Sequence, residues 1–136
     1  MVDRTPHPPH SLGRWGELQA AKHLRRKGWR ILARNYRFGR REVDLVIRRA
    51  RRAEGQADLV AFVEVKTRAG EGWGTPEEAI TRLKRREIEA VANEFLIRHR
   101  LRSVDVRFDV FAILVGPGRR VVRVEHVEDA WRPGWP

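Results

Sequence analysis

A chain of 136 residues with 29 Arg and Lys against 18 Asp and Glu, a net charge of +11 and no cysteine is one domain's worth of sequence. It has no means of making a disulfide or a zinc–thiolate cluster. No apolar run approaches the roughly 20 residues of a membrane span, and the residues before Ser11 lack the apolar stretch of a secretory signal, so the expected setting is a reducing cytoplasm without a membrane partner.

Residues 1–11, with Pro6, Pro8 and Pro9, read as a flexible tail. His7 and His10 belong to that tail rather than to a metal pair. Ser11 is placed to cap a helix running to about Lys27 and stopped by Gly28. Its buried stripe is expected to be Leu12, Trp15, Leu18, Ala21 and Leu24. Glu17 stands three, four and seven residues before Ala20, Ala21 and Leu24, so it borders the apolar face instead of the solvated back. Gly13 and Gly16 weaken the helix and suggest that another backbone or a ligand comes close. A strand follows over Trp29–Tyr36, then a turn, then a second strand over Glu42–Arg48. The polar stretch 49–58 leads into a third strand over Leu59–Thr67, which predicts an antiparallel hairpin.

That third strand carries the chemistry. In Val60-Ala-Phe-Val-Glu-Val-Lys66, alternation sets Phe62, Glu64 and Lys66 on one face and Leu59, Ala61, Val63 and Val65 on the other. A carboxylate and an ammonium on an apolar strand are costly to bury unless something uses them. On the neighbouring strand Asp44 is expected to point away from Val43 and Leu45. Asp44, Glu64 and Lys66 together would suit a divalent metal and an attacking water. Lysine is rare here: only Lys22, Lys27, Lys66 and Lys84 accompany 25 arginines. Lysine at position 66 is therefore notable, because a compact ammonium reaches a single water or phosphate oxygen better than a guanidinium fork does.

The Gly-rich stretch 68–74 reads as a loop beside this strand, with Trp73 free either to stack on a base or to fold back onto the core. Thr75 and Glu78 form a capping box with Pro76 in the first turn. It predicts one helix to about His99, buried along Ile80, Leu83, Ile88, Val91 and Phe95 with Lys84 in line. Residues 104–115 alternate as a strand, with Asp109 on the side of Phe111 and Ile113. Gly116-Pro-Gly118 is a turn and Val121–Val124 a last short strand. The domain is thus expected to span 12–125, with 126–136 as an irregular C-terminal tail.

The charge is uneven. Residues 1–60 hold 15 Arg and Lys against 6 Asp and Glu, while residues 61–136 hold 14 against 12. A basic field concentrated on one part of a small domain favours a polyanion, nucleic acid above all.

Taken in order, Gly13-x-x-Gly-Glu17-x-x-Ala20, Asn35, Glu42-Val-Asp-Leu45, Phe62-Val-Glu-Val-Lys-x-Arg68, Lys84 and Arg107-Phe-Asp109 resemble the YraN family of small bacterial proteins. That family is similar to the PD-(D/E)xK, restriction-endonuclease-like superfamily and, more distantly, to archaeal Holliday-junction resolvases. The resemblance covers about residues 12–115. It implies an α/β fold with a mixed central β-sheet flanked by helices. It also implies a catalytic set of Glu17, Asp44, Glu64 and Lys66, with Glu17, Asp44 and Glu64 holding Mg²⁺, or Mn²⁺ in its place. Arg41 stands where the family pattern usually has glycine, which leaves the local turn open.

Two functions compete. The first is a metal-dependent endonuclease acting on DNA, on branched or other non-B-form structures in particular, with Arg41, Arg48, Arg49, Arg68 and Lys84 on the nucleic acid. One metal site per chain makes a homodimer the natural way to cut both strands. The second is a non-catalytic nucleic-acid-binding protein, an adaptor in DNA uptake or repair, that retains a vestigial site. A third, blander reading leaves Glu64 and Lys66 as an internal salt bridge.

Overall fold

The structure is a computed structural model and describes residues 11–70 and 72–134. The segment before Ser11, with His7 and His10, lies outside the described residues, as do Glu71, Trp135 and Pro136. The chain runs α1 (Leu12–Arg26), β1 (Arg30–Phe38), β2 (Arg41–Arg49), β3 (Asp58–Ala69), α2 (Arg82–Arg98), β4 (Val104–Gly116) and β5 (Arg120–Trp131). The five strands lie in one sheet in the order of the chain. All neighbours are antiparallel except β3 and β4, which run parallel. A parallel pair needs a crossover of a dozen residues or more, and α2 supplies it. The result is the expected α/β architecture, a mixed sheet with one helix on each face, consistent with a restriction-endonuclease-like fold. Among the described residues no helix is long and apolar enough to cross a membrane.

Burial on both faces accounts for the apolar runs of the central strands. One core lies under α1, where Ala20, Ala21 and Leu24 meet Leu45, Ala61, Val63 and Phe111. The other lies under α2, where Ile88, Val91 and Phe95 meet Val60, Phe62 and Val110. The alternation expected for β3 is therefore observed. Ser11 caps α1 by accepting from the Arg14 N–H at 3.2 Å. The buried stripe of α1 is rotated from expectation: Gly16 and Ala20 are in it, whereas Leu18 is only half-buried. The reason is Gly16. A Cβ there would come within 1.8 Å of Thr67 Oγ1 and 2.9 Å of Thr67 Cβ, so only glycine lets α1 settle onto β3. Gly13 has no such neighbour; its nearest contact is Ser11 Oγ at 3.9 Å. Gly16→Ala is accordingly expected to cost about 1–3 kcal/mol through overpacking. Gly13→Ala is expected to gain up to about 1 kcal/mol of helix propensity. Urea midpoints of the two variants on opposite sides of wild type would bear this out, and a stabilised Gly16→Ala would refute the packing argument.

Three expected boundaries change. The capping box is real, with Thr75 N–H donating to Glu78 Oε1 at 2.8 Å and Glu78 N–H to Thr75 Oγ1 at 3.3 Å. However, it opens only a single 3-10 turn at Glu77–Ala79. The chain then restarts: Thr81 accepts from the Lys84 N–H and caps α2. Leu83 falls in the first turn of this later helix and is exposed, not buried. At the C-terminus, 126–131 are not an irregular tail. They continue β5 along β4 as far as the Phe108–Trp131 pair, and Trp131 is buried. The turn between β1 and β2 is made at Gly39, with φ of 66°, so Arg41 already belongs to the strand and faces Phe38.

Candidate active site

The site forms where β2 and β3 part. Their ladder runs from Arg49–Leu59 to Leu45–Val63 and stops. One step further it would set Asp44 opposite Glu64, and two steps would set Val43 opposite Val65. Instead the Asp44 side chain takes the place of the missing strand contact: its Oδ2 accepts from the Val65 N–H at 2.8 Å. β2 meanwhile stays with β1, where Asn35, across from Asp44, has φ of 50°. Asparagine tolerates that left-handed conformation better than most residues. The expected alternation breaks here. Val43 packs into the core under α2 and Leu45 into the core under α1, although both were expected on one face.

The break brings Asp44 and Glu64 together in a buried position; they are 8% and 5% exposed. Glu64 projects to the α2 side of β3 with Lys66, whose Nζ is 3.6 Å from Glu64 Oε2. Glu64 Oε1 is buried and has no hydrogen-bond partner. Lys84, half-buried in the first turn of α2, adds a second positive charge that acts on Glu64. Burial, the neighbouring Glu64 and, less strongly, Glu17 push the Asp44 carboxyl up to about 9, against the Val65 N–H that lowers it. Glu64 is also raised, by burial first, with Lys84 and Lys66 working in the opposite direction. Two carboxyls buried this close to each other disfavour ionising both at once.

The structure does not bring Glu17 in as a third ligand. Glu17 Oε1 accepts from Asn35 Nδ2 at 2.8 Å, and its charge reaches Asp44 only through space. Among the described residues no three His, Cys, Asp or Glu converge closely enough to hold an ion by themselves. The residues nevertheless fit a hard divalent cation of the magnesium kind. Such an ion is bound through one or two carboxylates and keeps several waters, and the unpartnered Glu64 Oε1 is an oxygen of the required type. The expected phosphate contacts divide. Arg48 is paired with Asp58 at 2.9 Å, and Arg49 lies over the Trp29 ring at 4.2 Å, both far down the sheet from Asp44. Arg41 is exposed, Arg68 half-buried, and Lys84 adjoins the carboxylates.

Sequence reading missed two partners. Asn35, named in the motif without a role, holds Glu17. His126 donates to the fully buried Asp109 at 2.8 Å; it was overlooked because its strand was cut short at Val124.

A buried pair of carboxyls is costly to ionise when no cation is present. For a carboxyl raised in the fold, the free-energy penalty is absent below the ordinary carboxylate range near pH 4. It grows as pH rises toward the folded value, here about 9 for Asp44. Metal-free Asp44→Asn is therefore expected to melt about 5 °C above wild type at about pH 8, with the gap closing toward about pH 4. Magnesium should stabilise wild type by mass action and leave the variant unmoved. A variant less stable than wild type at every pH would contradict this account.

The model of a family described as "Uncharacterised protein family UPF0102" matches residues 16–113, a span that includes Glu17, Asp44, Glu64, Lys66, Lys84 and Asp109. The chain is similar to the UPF0102 protein of Chlorobium limicola, 42% identical over 129 residues that make up 92% of this chain and 95% of that protein. It is also similar to that of Rhodococcus opacus, 46% identical over 121 residues, 89% and 96% of the two chains. With the UPF0102 protein of Roseiflexus castenholzii it shares 44% identity over 117 residues, 85% and 89% of the two.

Proposed function

We propose that this chain, which belongs to the UPF0102 (YraN) family, is a metal-dependent nuclease that hydrolyses DNA phosphodiester bonds in the cytoplasm. The observation that carries the reading is the buried Asp44–Glu64 pair with one carboxylate oxygen unmatched and Lys66 and Lys84 beside it. A structural salt bridge would consume its own charges. Here two buried carboxyls lie together, and Glu64 Oε1 lacks a hydrogen-bond partner even with Lys66 Nζ 3.6 Å from Glu64 Oε2. Asp44 and Glu64 would hold the cation, which when bound lowers the pKa of a water and offsets charge on the scissile phosphate.

The rest is done by the chain. Val65 N–H fixes one Asp44 oxygen, and the other would be the one to meet the cation. Lys66 is placed on the Glu64 face to orient the attacking water or to meet the phosphate oxygens as negative charge gathers. Lys84 also acts on Glu64 electrostatically and can touch an adjacent phosphate. Glu17, held by Asn35, adds negative field at Asp44 without binding the cation directly. The net charge of +11 supplies non-specific attraction to the polyanion, which should weaken steeply with salt. The test is incubation of purified protein with Mg²⁺ or Mn²⁺ and linear, nicked, single-stranded, flapped and four-way DNA. Cutting of at least one substrate is expected. No cutting of any, with DNA still bound, would hand the case to a non-catalytic binding protein.

A further inference from the structure

The α2 side of the sheet is not fully covered. Because the helix starts at Arg82 rather than at Thr75, the ends of β3 and β4 next to Lys66 have no helix over them. There Lys66 lies beside Ala112 and Arg68 beside Leu114 in the parallel register, and Arg123 flanks Leu114 from β5. Gly70 and residues 72–76 lie over this patch and line a cleft of about 560 Å³, within the range of small-ligand sites. Its mouth is shared with Lys66, which stands about 7 Å along the strand from Glu64.

Trp73 lies on the rim of this cleft. Its ring is 55% exposed, yet it is not loose. The indole N–H donates to the Ala69 carbonyl at 3.0 Å, and the Arg68 guanidinium lies 4.8 Å from its centroid. Of the two fates offered by the sequence, folding back into the core does not occur: the ring is held in place at the surface. Positive φ at Gly70 and Gly72, 89° and 85°, bends the loop so that the ring returns over β3. The wall of the cleft carries Lys66, Arg68 and Arg123 and also Glu78 and Glu125, the last 3.6 Å from Arg123; an incoming base and phosphate would meet the apolar floor, the fixed ring, Lys66 and Arg68. Those are the components of a stacking platform for a nucleobase with its phosphates.

We infer that this cleft receives one unpaired nucleobase, stacked on Trp73, from the nucleotide next to the phosphate held at Lys66. A base inside a duplex is stacked and paired on all sides and reaches such a cleft only if extruded, which is least costly for a mismatched, bulged or single-stranded position. The preferred substrate is then DNA with at least one nucleotide out of the helix. This inference rests on the nuclease reading for its placement of the phosphate, but binding alone can test it.

The experiment uses full-length protein in EDTA. Affinities are measured by fluorescence anisotropy for three duplexes: one with a single-nucleotide bulge, one with the same bulge made abasic, and one fully paired. Wild type is expected to bind the bulge with a base about 10-fold more tightly than the abasic bulge. Trp73→Ala should erase that ratio, and Trp73→Phe should keep part of it. Trp73 is exposed and carries no core, so these variants are expected to fold, which their melting curves would confirm. Equal affinity of wild type for the base and the abasic site, or a ratio unchanged in Trp73→Ala, overturns the inference. Adding Mg²⁺ separates it from the nuclease reading. Base-dependent binding without cleavage keeps the cleft and removes the catalysis, whereas cleavage without base preference does the reverse.

Discussion

Lys66→Met is expected to slow cleavage under single-turnover conditions by about 100- to 10,000-fold while leaving the protein folded and bound to DNA. Asp44→Asn should do at least as much. The two variants matter together because they move charge in opposite directions. Lys66→Met removes one cation from the nucleic-acid surface and can change the slope of log affinity against log salt by only about 0.9. Asp44→Asn removes an anion and should, if anything, tighten binding in EDTA. Rate and affinity therefore part company, and they do so differently in the two variants. A site that merely attracted DNA would show the opposite: rates, if any, would track affinity. Met approximates the length and volume of the Lys66 stem, which is only 23% exposed, so packing is retained and a loss cannot be assigned to a cavity. Lys66→Met cutting at the wild-type rate would remove this lysine from the chemistry. Asp44→Asn cutting at that rate would remove the cation site with it.

Much of this site could be seen in the sequence because alternation is robust in a buried strand. Along β3 a slip of one residue would move Val63 and Glu64 to the wrong faces, so reading Phe62, Glu64 and Lys66 as one set was secure. The same rule failed on β2 because it assumes an unbroken ladder. Where β2 leaves β3, Val43 and Leu45 separate into different cores and the Asp44 carboxyl turns toward the Val65 N–H. Nothing local announces that departure except Asn35, whose left-handed backbone lies on another strand. The start of α2 was misread for a different reason. Two capping signals, at Thr75 and at Thr81, lie six residues apart, and the stronger pattern came first. Tertiary packing selected the later one, and the cleft beside Lys66 exists because it did. The strand over 120–131 was shortened because Glu125, Glu128 and Asp129 make its solvent side polar, as suits an edge strand, and because its partner, the buried Asp109, is contributed by β4.

Asp109→Ala is expected to destabilise the fold by about 3–5 kcal/mol, the largest loss from any single polar side chain here. Asp109 is fully buried and every acceptor position on it is used. Arg107 donates Nε to Oδ1 at 2.8 Å and Nη2 to Oδ2 at 2.9 Å. His126 Nε2 donates to Oδ2 at 2.8 Å, and the Asp129 N–H donates to Oδ1 at 3.0 Å. The His126 and Asp129 bonds pin β5 to β4 at the register irregularity between Phe108 and Val110, while the Arg107 bonds lie within β4. Removing the carboxylate leaves the Arg107 guanidinium largely out of water, with Glu128 3.6 Å away, the Asp129 charge and the Trp29 ring left to face it. Burial alone would raise the Asp109 carboxyl. The hydrogen bonds from His126 and Arg107, with the Arg107 charge, outweigh it and hold the group below the ordinary range. A carboxyl lowered in the fold stabilises above its unfolded value near pH 4, and that contribution disappears as pH falls through the folded one. Wild type should therefore lose stability toward Asp109→Ala on the acid side, the opposite trend to the Asp44 pair. The contrast follows from satisfaction: one buried aspartate has four donors around it, the other has one donor and a second carboxylate. Urea midpoints for the two variants across pH should converge at low pH in both cases. Asp109→Ala should approach wild type from below and metal-free Asp44→Asn from above. An Asp109→Ala midpoint equal to wild type near neutral pH would show that the bonds from His126 and Asp129 are not what holds the last strand in place.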